Sequence, residues 1–395
     1  MRSKLLKGAL AASFVMGFAL TTFAGPAKQQ EKDWTVIVFL NGHNNLDPYG
    51  TEDINEMEKV GSTDKVNVVV QWASMDANTK RLLVQKDNNE WAVTSPIVQD
   101  MGIKIDMGDY KELVNFANWA IQNYPAKRYF IDVWNHGSGW HRFQLNSRGF
   151  NIKPMDISWD DNTGNSISTE QLGVAMSEIA LNLGRKVDIY GSDACLMSMV
   201  EVGAEMADSA DVMIGSQDLE PGDGWDYEGF LNALAANPTT DALEVGKMLV
   251  QTYSASYPYT AVTLSAVDLR KFGGLLSSLR RFSTEIMSFT EDQKPTIQKA
   301  MDDTENFFYS DYKDMGMFLE KLAASGLRVE TLTEVTQAYR DTVYFSSATG
   351  NMSYATGLSI WMPSATDYGY YWNRYSKLKS EQASGWGQAL GYILK

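Results

Sequence analysis

Cysteine is almost missing from this chain: its 395 residues include a single one, Cys195. Exported chains of this length commonly rely on disulfides, and Cys195 has no partner within its own chain. A lone cysteine is a buried apolar filler, a bridge to another chain, or a reactive thiol. Histidine is scarce as well, with three residues, His43, His136 and His141. Positive charge is in deficit, since 34 Lys and Arg against 49 Asp and Glu leave a formal charge of −15. Phosphate binding needs a basic face, which argues against nucleic acid as a partner. The acidity reads as solubility outside the cell rather than as a lure for cationic substrates. Internal repeats and low-complexity tracts are lacking. Beyond the first two dozen residues no run approaches the roughly 20 apolar residues of a membrane helix.

The start of the chain is different. Arg2, Lys4 and Lys7 precede an apolar stretch over residues 9–20 that is too short to span a bilayer. Thr22 and Ala24 supply the small residues of a cleavage site, and no cysteine follows to take a lipid anchor. Residues 1–24 therefore read as a signal peptide, and the mature chain as secreted or periplasmic. The remainder is long enough for one large domain, or for a core with a smaller companion. Its 44% hydrophobic and 12% aromatic content belongs to a packed globule.

Apolar runs and periodicity give the order of elements. Residues 34–40 (WTVIVFL), 65–72, 128–134, 186–191 and 211–215 read as strands. Residues 81–85 and 91–93 read as a surface hairpin. Residues 53–60 look helical, and 110–123 carry an apolar stripe of Leu113, Phe116, Trp119 and Ala120. Ser168 with Gln171 forms a capping box for a helix reaching Leu183. A further helix is expected from about Cys195 to Ala207. Strands alternating with helices predict an α/β fold with a mostly parallel sheet. Residues 30–265 read as the core. Residues 266–395 read as a largely helical subdomain, broken near 291–295, whose late strand over 356–362 rejoins the sheet.

In open α/β sheets, functional groups gather beyond the carboxyl ends of the strands. Two such ends hold the groups that thiol chemistry needs. One is Asn135-His136-Gly137-Ser138-Gly139-Trp140 and the other is Asp193-Ala194-Cys195-Leu196-Met197. Consecutive strands joined by one crossover helix place His136 and Cys195 in a common cleft. A helix beginning at Cys195 favours the thiolate, and His136 titrates where a proton must be carried to a leaving amine. Gly137 allows close approach of the backbone, so its N–H and that of Cys195 form a candidate oxyanion hole. Against this, each residue alone also has a plain structural role, as loop histidine or buried thiol.

These two motifs resemble the active-site signatures of the clostripain family, within the caspase-like cysteine peptidases. Weaker matches support them: residues 34–46, Glu220-Pro221-Gly222-Asp223-Gly224-Trp225, Tyr312-Lys313-Asp314-Met315 and residues 357–363. The resemblance covers most of the chain beyond residue 30. It implies a caspase-like α/β/α sandwich and a Cys195/His136 dyad without an obligatory third residue. It also implies cleavage after Arg or Lys, with Asp193 as the acid of the S1 pocket; the bland alternative for Asp193 is a helix cap. Asp218 and Glu220 are second choices for that charge, and Trp225 is either a pocket wall or plain packing.

Relatives are cut internally between the His and Cys motifs, which implies self-cleavage here after Arg148 or Lys153, with Arg142 also in that stretch. Some relatives depend on calcium. No EF-hand spacing occurs here, and the cluster Asp156, Asp160, Asp161 and Asn162 reads as a polar loop, so no metal ligand is assigned and no cofactor is certain. His43 stands where relatives more often carry an acidic residue. Expected partners are protein or peptide substrates with a basic P1 residue. Two rival readings are a caspase-like peptidase with a non-basic P1 preference and a catalytically idle α/β binding protein.

Overall fold

The computed structural model describes residues 31–141 and 156–395. The strands are β1 (Lys32–Gly42), β2 (Val66–Ser74), β3 (Thr79–Leu83), β4 (Ile97–Gly102), β5 (Ala126–Trp134), β6 (Ile157–Asp160), β7 (Asn165–Ile167), β8 (Val187–Gly191), β9 (Ala210–Gly215), β10 (Thr263–Asp268), β11 (Tyr312–Asp314), β12 (Val343–Ala348) and β13 (Ser359–Trp361). Nine of them form one sheet in the order β12-β10-β9-β8-β5-β1-β2-β3-β4. Its centre, β2-β1-β5-β8-β9, is parallel throughout. Antiparallel strands close both flanks.

The run of apolar residues in β1 follows from burial on both faces. Val36, Val38 and Leu40 point to one core, Ile37 and Phe39 to the other, and all are buried. Helices α1 (Asp47–Val60), α2 (Tyr110–Asn123), α3 (Thr169–Leu183), α4 (Val200–Met206), α5 (Tyr227–Ala236), α6 (Ala242–Ser256) and α7 (Leu269–Ile286) supply the covering layers. The first face is packed by α1, α5 and α6, the second by α2, α3, α4 and α7. The result is the expected caspase-like α/β/α sandwich with a mostly parallel sheet.

Three expectations require correction. The hairpin partner of β3 is β4 over Ile97–Gly102, not residues 91–93. The connecting loop is pinned instead by the Glu58 carboxylate, which accepts the Thr94 and Ser95 N–H groups, and by Ser95 Oγ, which accepts Gln85 N–H. No helix begins at Cys195; α4 starts at Val200. Residues 196–199 first run beside the segment after β9, with Leu196 N–H donating to Asp218 O and Ser198 N–H to Ser216 O. The late strand that rejoins the main sheet is β12, next to β10, whereas β13 pairs with β11 in a separate two-stranded ribbon.

The capping box of α3 is present in full: Ser168 Oγ accepts Gln171 N–H, and Gln171 Oε1 accepts Ser168 N–H. Replacing a cap hydroxyl of this kind costs about 1 kcal/mol. Ser168→Ala should therefore lower the thermal midpoint by about 1–2 °C, with Ser168→Asp close to the parent. Equal melting of all three proteins would show that the box contributes nothing to stability.

Candidate active site

The order of the parallel strands reverses between β1 and β5, and a cleft opens beyond the carboxyl ends of strands at such a point. Three loops meet there: Asn44 and Asn45 after β1, Asn135 and His136 after β5, and Asp193 to Cys195 after β8. Pairing of β5 with β8 in parallel register brings the second and third together. Asn135 N–H donates to Asp193 O at 3.1 Å, stitching one loop to the other. The Asn135 side chain ties down the surroundings, donating to Asn41 O and accepting Trp159 N–H.

Gly137 is required by the contact that follows. A Cβ added there would lie 2.4 Å from Cys195 O and 3.0 Å from the Ala194 methyl. Only glycine lets the backbone of the His136 loop touch that of the Cys195 loop. Neither Gly137 N–H nor Cys195 N–H has an acceptor on another described residue. Leu196, immediately after the cysteine, takes the left-handed conformation at φ +65° although it carries a branched side chain. The buried Leu196 side chain holds this strained turn in place.

A cavity of about 200 Å³ lies over these loops, lined by Leu46, His136, Asp193, Cys195, Leu219 and Glu220 among others. The Cys195 thiol accepts Glu220 N–H at 3.2 Å. Burial nevertheless pushes the thiol up, and Asp218 and Asp193 nearby push it further. Burial also holds the His136 imidazole below its usual range, against the pull of Asp161. Both shifts favour the neutral thiol and the neutral imidazole. The helix N-terminus expected to favour a thiolate at Cys195 is absent, which removes that stabilisation.

Asn45 was not singled out from the sequence. His136 Nε2 lies 2.9 Å from Asn45 Oδ1. An amide oxygen only accepts, so Nε2 carries the proton and Nδ1 is the basic nitrogen of neutral His136. A short polar residue in a loop gives no sequence signal for this contact, which depends on β1 lying beside β5.

The remaining expected residues are placed as follows. Asp193 is buried against the cleft, its carboxylate accepting Trp225 N–H at 3.2 Å and Tyr227 Oη–H at 2.9 Å. Glu220 joins it from the other wall. Asp218 does not line the cavity: its carboxylate accepts Phe308 N–H at 2.9 Å. Trp225 is likewise behind the cleft, packed on Phe130 and Tyr227, and serves Asp193 through its backbone. His43 donates from Nδ1 to Asp160 in the interior, and His141 lies 3.2 Å from Asp311 and stacks on Tyr371. Arg142, Arg148 and Lys153, and the signal segment 1–24, lie outside the described residues. Among the described residues no group of three acids, cysteines or histidines is arranged to hold a metal. Asp160 is instead occupied by His43 and the Met107, Asn162 and Thr163 N–H groups. No described helix is long and apolar enough to cross a membrane.

Comparison with known proteins bears on what this arrangement does. The family model described as the clostripain family matches residues 38–392. Clostripain of Hathewaya histolytica is 26% identical over 243 residues, which are 54% of this chain and 44% of that protein, so the match spans less than half of that relative. A secreted C11 cysteine protease from Bacteroides thetaiotaomicron, solved with an irreversible peptide inhibitor, superposes at a TM-score of 0.68, with 21% identity over 90% of this chain and 99% of that one. An inactive zymogen C11 protease from Parabacteroides distasonis gives 0.70, with 17% identity over 90% and 99% of the two chains. At these identities the two structures show the fold.

Because Cys195 is the single cysteine, alkylation of the whole protein reports on this one thiol. With the thiol pushed up by burial, the iodoacetamide rate should keep climbing through the alkaline range. A rate already at its plateau in mild acid would mean a resting thiolate–imidazolium pair instead.

Proposed function

The chain belongs to the clostripain family of cysteine peptidases, and on that premise we propose that it cleaves peptide bonds after Arg or Lys. Cys195 is the nucleophile and His136 its acid/base partner. The observation that carries this reading is the buried Asp193 carboxylate at the wall of the cavity that Cys195 and His136 also line. A P1 guanidinium or ammonium entering that cavity meets a negative charge in a low dielectric, where a charge-assisted bond selects strongly.

The chemistry proceeds from the neutral pair. As Sγ attacks the scissile carbonyl carbon, its proton passes to His136 Nδ1, while Asn45 holds Nε2–H and the ring orientation. The oxyanion is received by the N–H groups of Gly137 and Cys195. The imidazolium then protonates the leaving amine, giving a thioester at Cys195. Water attacks that thioester with His136 as base, releasing the carboxylic acid and restoring the thiol. The mature chain acts after export through residues 1–24, secreted or periplasmic. Self-cleavage after Arg148 or Lys153 activates it, a reading in keeping with the inactive zymogen state described for the Parabacteroides protein.

Fluorogenic peptides with P1 Arg, Lys, Asn, Asp or Ala test the proposal. Hydrolysis should be confined to Arg and Lys and vanish in Cys195→Ala. Cleavage after the other residues would remove Asp193 from P1 recognition, and silence after added protease would favour the idle scaffold. Asp193→Asn should lower kcat/KM on basic peptides about 100-fold or more. Asn45→Ala should lower kcat about tenfold with KM little changed, and Asn45→Asp should recover most of it. For self-cleavage, the active wild type should run as two fragments and Cys195→Ala as one full-length chain; identical full-length chains would rule it out.

Burial raises Asp193 to about 6. A cation binds the ionised form, so KM for basic peptides should rise as pH falls through that value. A KM independent of pH in this range would argue against Asp193 as the recognising group.

A further inference from the structure

Beneath the cleft lie four carboxyl groups, Asp53, Asp132, Asp193 and Glu220, and among the described residues no lysine or arginine is paired with any of them. Four negative charges cannot share this interior, so most of these groups must hold protons. Hydrogen-bond counting indicates which. Tyr227 Oη lies 2.7 Å from Asp132 Oδ2 and 2.9 Å from Asp193 Oδ2. A phenol has one proton to give, so only one of these contacts is a phenol-to-carboxylate bond. The other needs a protonated carboxyl donating to Oη. Asp193 Oδ2 also accepts Trp225 N–H at 3.2 Å, whereas Asp132 Oδ2 has no second donor among the described residues, so the proton belongs on Asp132 Oδ2, and burial raises Asp132 in the same sense.

We propose that Asp132 and Tyr227 are positioning residues for P1 recognition: protonated Asp132 donates to Tyr227, Tyr227 donates to Asp193, and this directional chain localises the cluster's negative charge on Asp193. The inference rests on the reading of Asp193 as the P1 carboxylate. The other groups facing Asp193 agree with it. Asp193 N–H donates to Asp132 Oδ1 at 3.2 Å, so the unprotonated oxygen of Asp132 is also satisfied. Trp225 N–H is a second donor to the Asp193 carboxylate. Glu220, whose buried carboxyl faces the Trp225 indole, is held far above its usual range by burial and the neighbouring Asp193 and supplies a third donor as an acid. Asp53 is raised as well and accepts Trp134 Nε1–H at 2.6 Å. Tyr253, Tyr257 and the Cys195 thiol complete the surroundings, all pushed toward their neutral forms by burial.

The mutations that separate this chain from simple packing are Tyr227→Phe and Asp132→Asn. Losing the Tyr227 donor destabilises the Asp193 anion. In Tyr227→Phe the acid limb of kcat/KM on an Arg-P1 peptide should therefore move up by about half to one pH unit. Alkylation of Cys195 by iodoacetamide should stay within about twofold of the parent, because that reaction needs no P1 contact. Asparagine reproduces the protonated acid, with Nδ2 donating to Tyr227 and Oδ1 accepting Asp193 N–H. Asp132→Asn should therefore keep kcat/KM within about threefold, whereas Asp132→Leu should lose more. An unmoved acid limb in folded Tyr227→Phe would overturn the chain, as would an Asp132→Asn as impaired as Asp193→Asn, since Asp132 would then be the ionised group. If Tyr227→Phe does not fold, the Asp132→Asn comparison decides alone. Asp193→Asn with intact Arg and Lys selectivity would sink the P1 reading itself, whereas an unmoved Tyr227→Phe profile beside a crippled Asp193→Asn sinks only the chain from Asp132.

Discussion

The contact on which the rest depends is backbone to backbone: the loop after β5 lies directly on the loop after β8. Asn135 N–H reaches Asp193 O, and Gly137 approaches Cys195 O more closely than any side chain permits. Parallel pairing of the two strands sets their ends level, and the missing Cβ closes the remaining gap. Everything offered to a substrate sits within a residue or two of this seam. The candidate nucleophile, the candidate base, two N–H groups with no acceptor on another described residue and a buried carboxylate are all carried by two short loops.

The two loops are held from a distance. Trp140, four residues past His136, is buried and packs edge-on against Trp361 and Tyr375. Tyr312 Oη donates to Ser138 O and accepts His141 N–H, clamping the same loop from β11. Asp311 accepts the Trp361 indole N–H, which locks the clamp together. The chain from 312 onward thus holds the His136 loop down on the sheet. On the opposite side, Asp218 gives its carbonyl to Leu196 N–H and its carboxylate to Phe308 N–H, linking the Cys195 turn to the same C-terminal portion. Residues that look like distant packing in the sequence therefore set the geometry of both loops.

How much of this could be read in advance follows from the range of each interaction. Local signals were sound: the apolar run of β1, the stripe of α2 and the capping box of α3 all involve neighbours within a few positions. The placement of His136 and Cys195 at adjacent strand ends was also legible, because α/β topology constrains it. What failed was whatever depended on partners far along the chain. Residues after Cys195 have helical composition, yet their N–H groups are claimed by 216–218 and the helix waits until Val200. Residues 359–361 have strand composition, yet they pair with 312–314 rather than with the large sheet. Asn45 and Tyr227 left no trace in the sequence, since neither residue type nor spacing says that one lies against His136 and the other between Asp132 and Asp193.

Burial is the common cause of the site's electrostatics. The same exclusion of water raises the thiol, lowers the imidazole and raises the acids. Each shift favours the neutral form, so the free site holds little charge for its number of titratable groups. A substrate cation changes that balance at one point. On the proposed reading it pairs with Asp193 and supplies the counter-charge that the cluster lacks, while the candidate oxyanion donors wait for charge that develops only during reaction. A neutral thiol is a poor nucleophile toward adventitious electrophiles. Proton transfer then has to accompany attack, which ties reactivity to a correctly seated peptide bond. On that reading, selectivity and restraint arise from one physical feature, the depth at which the two strand-end loops are buried.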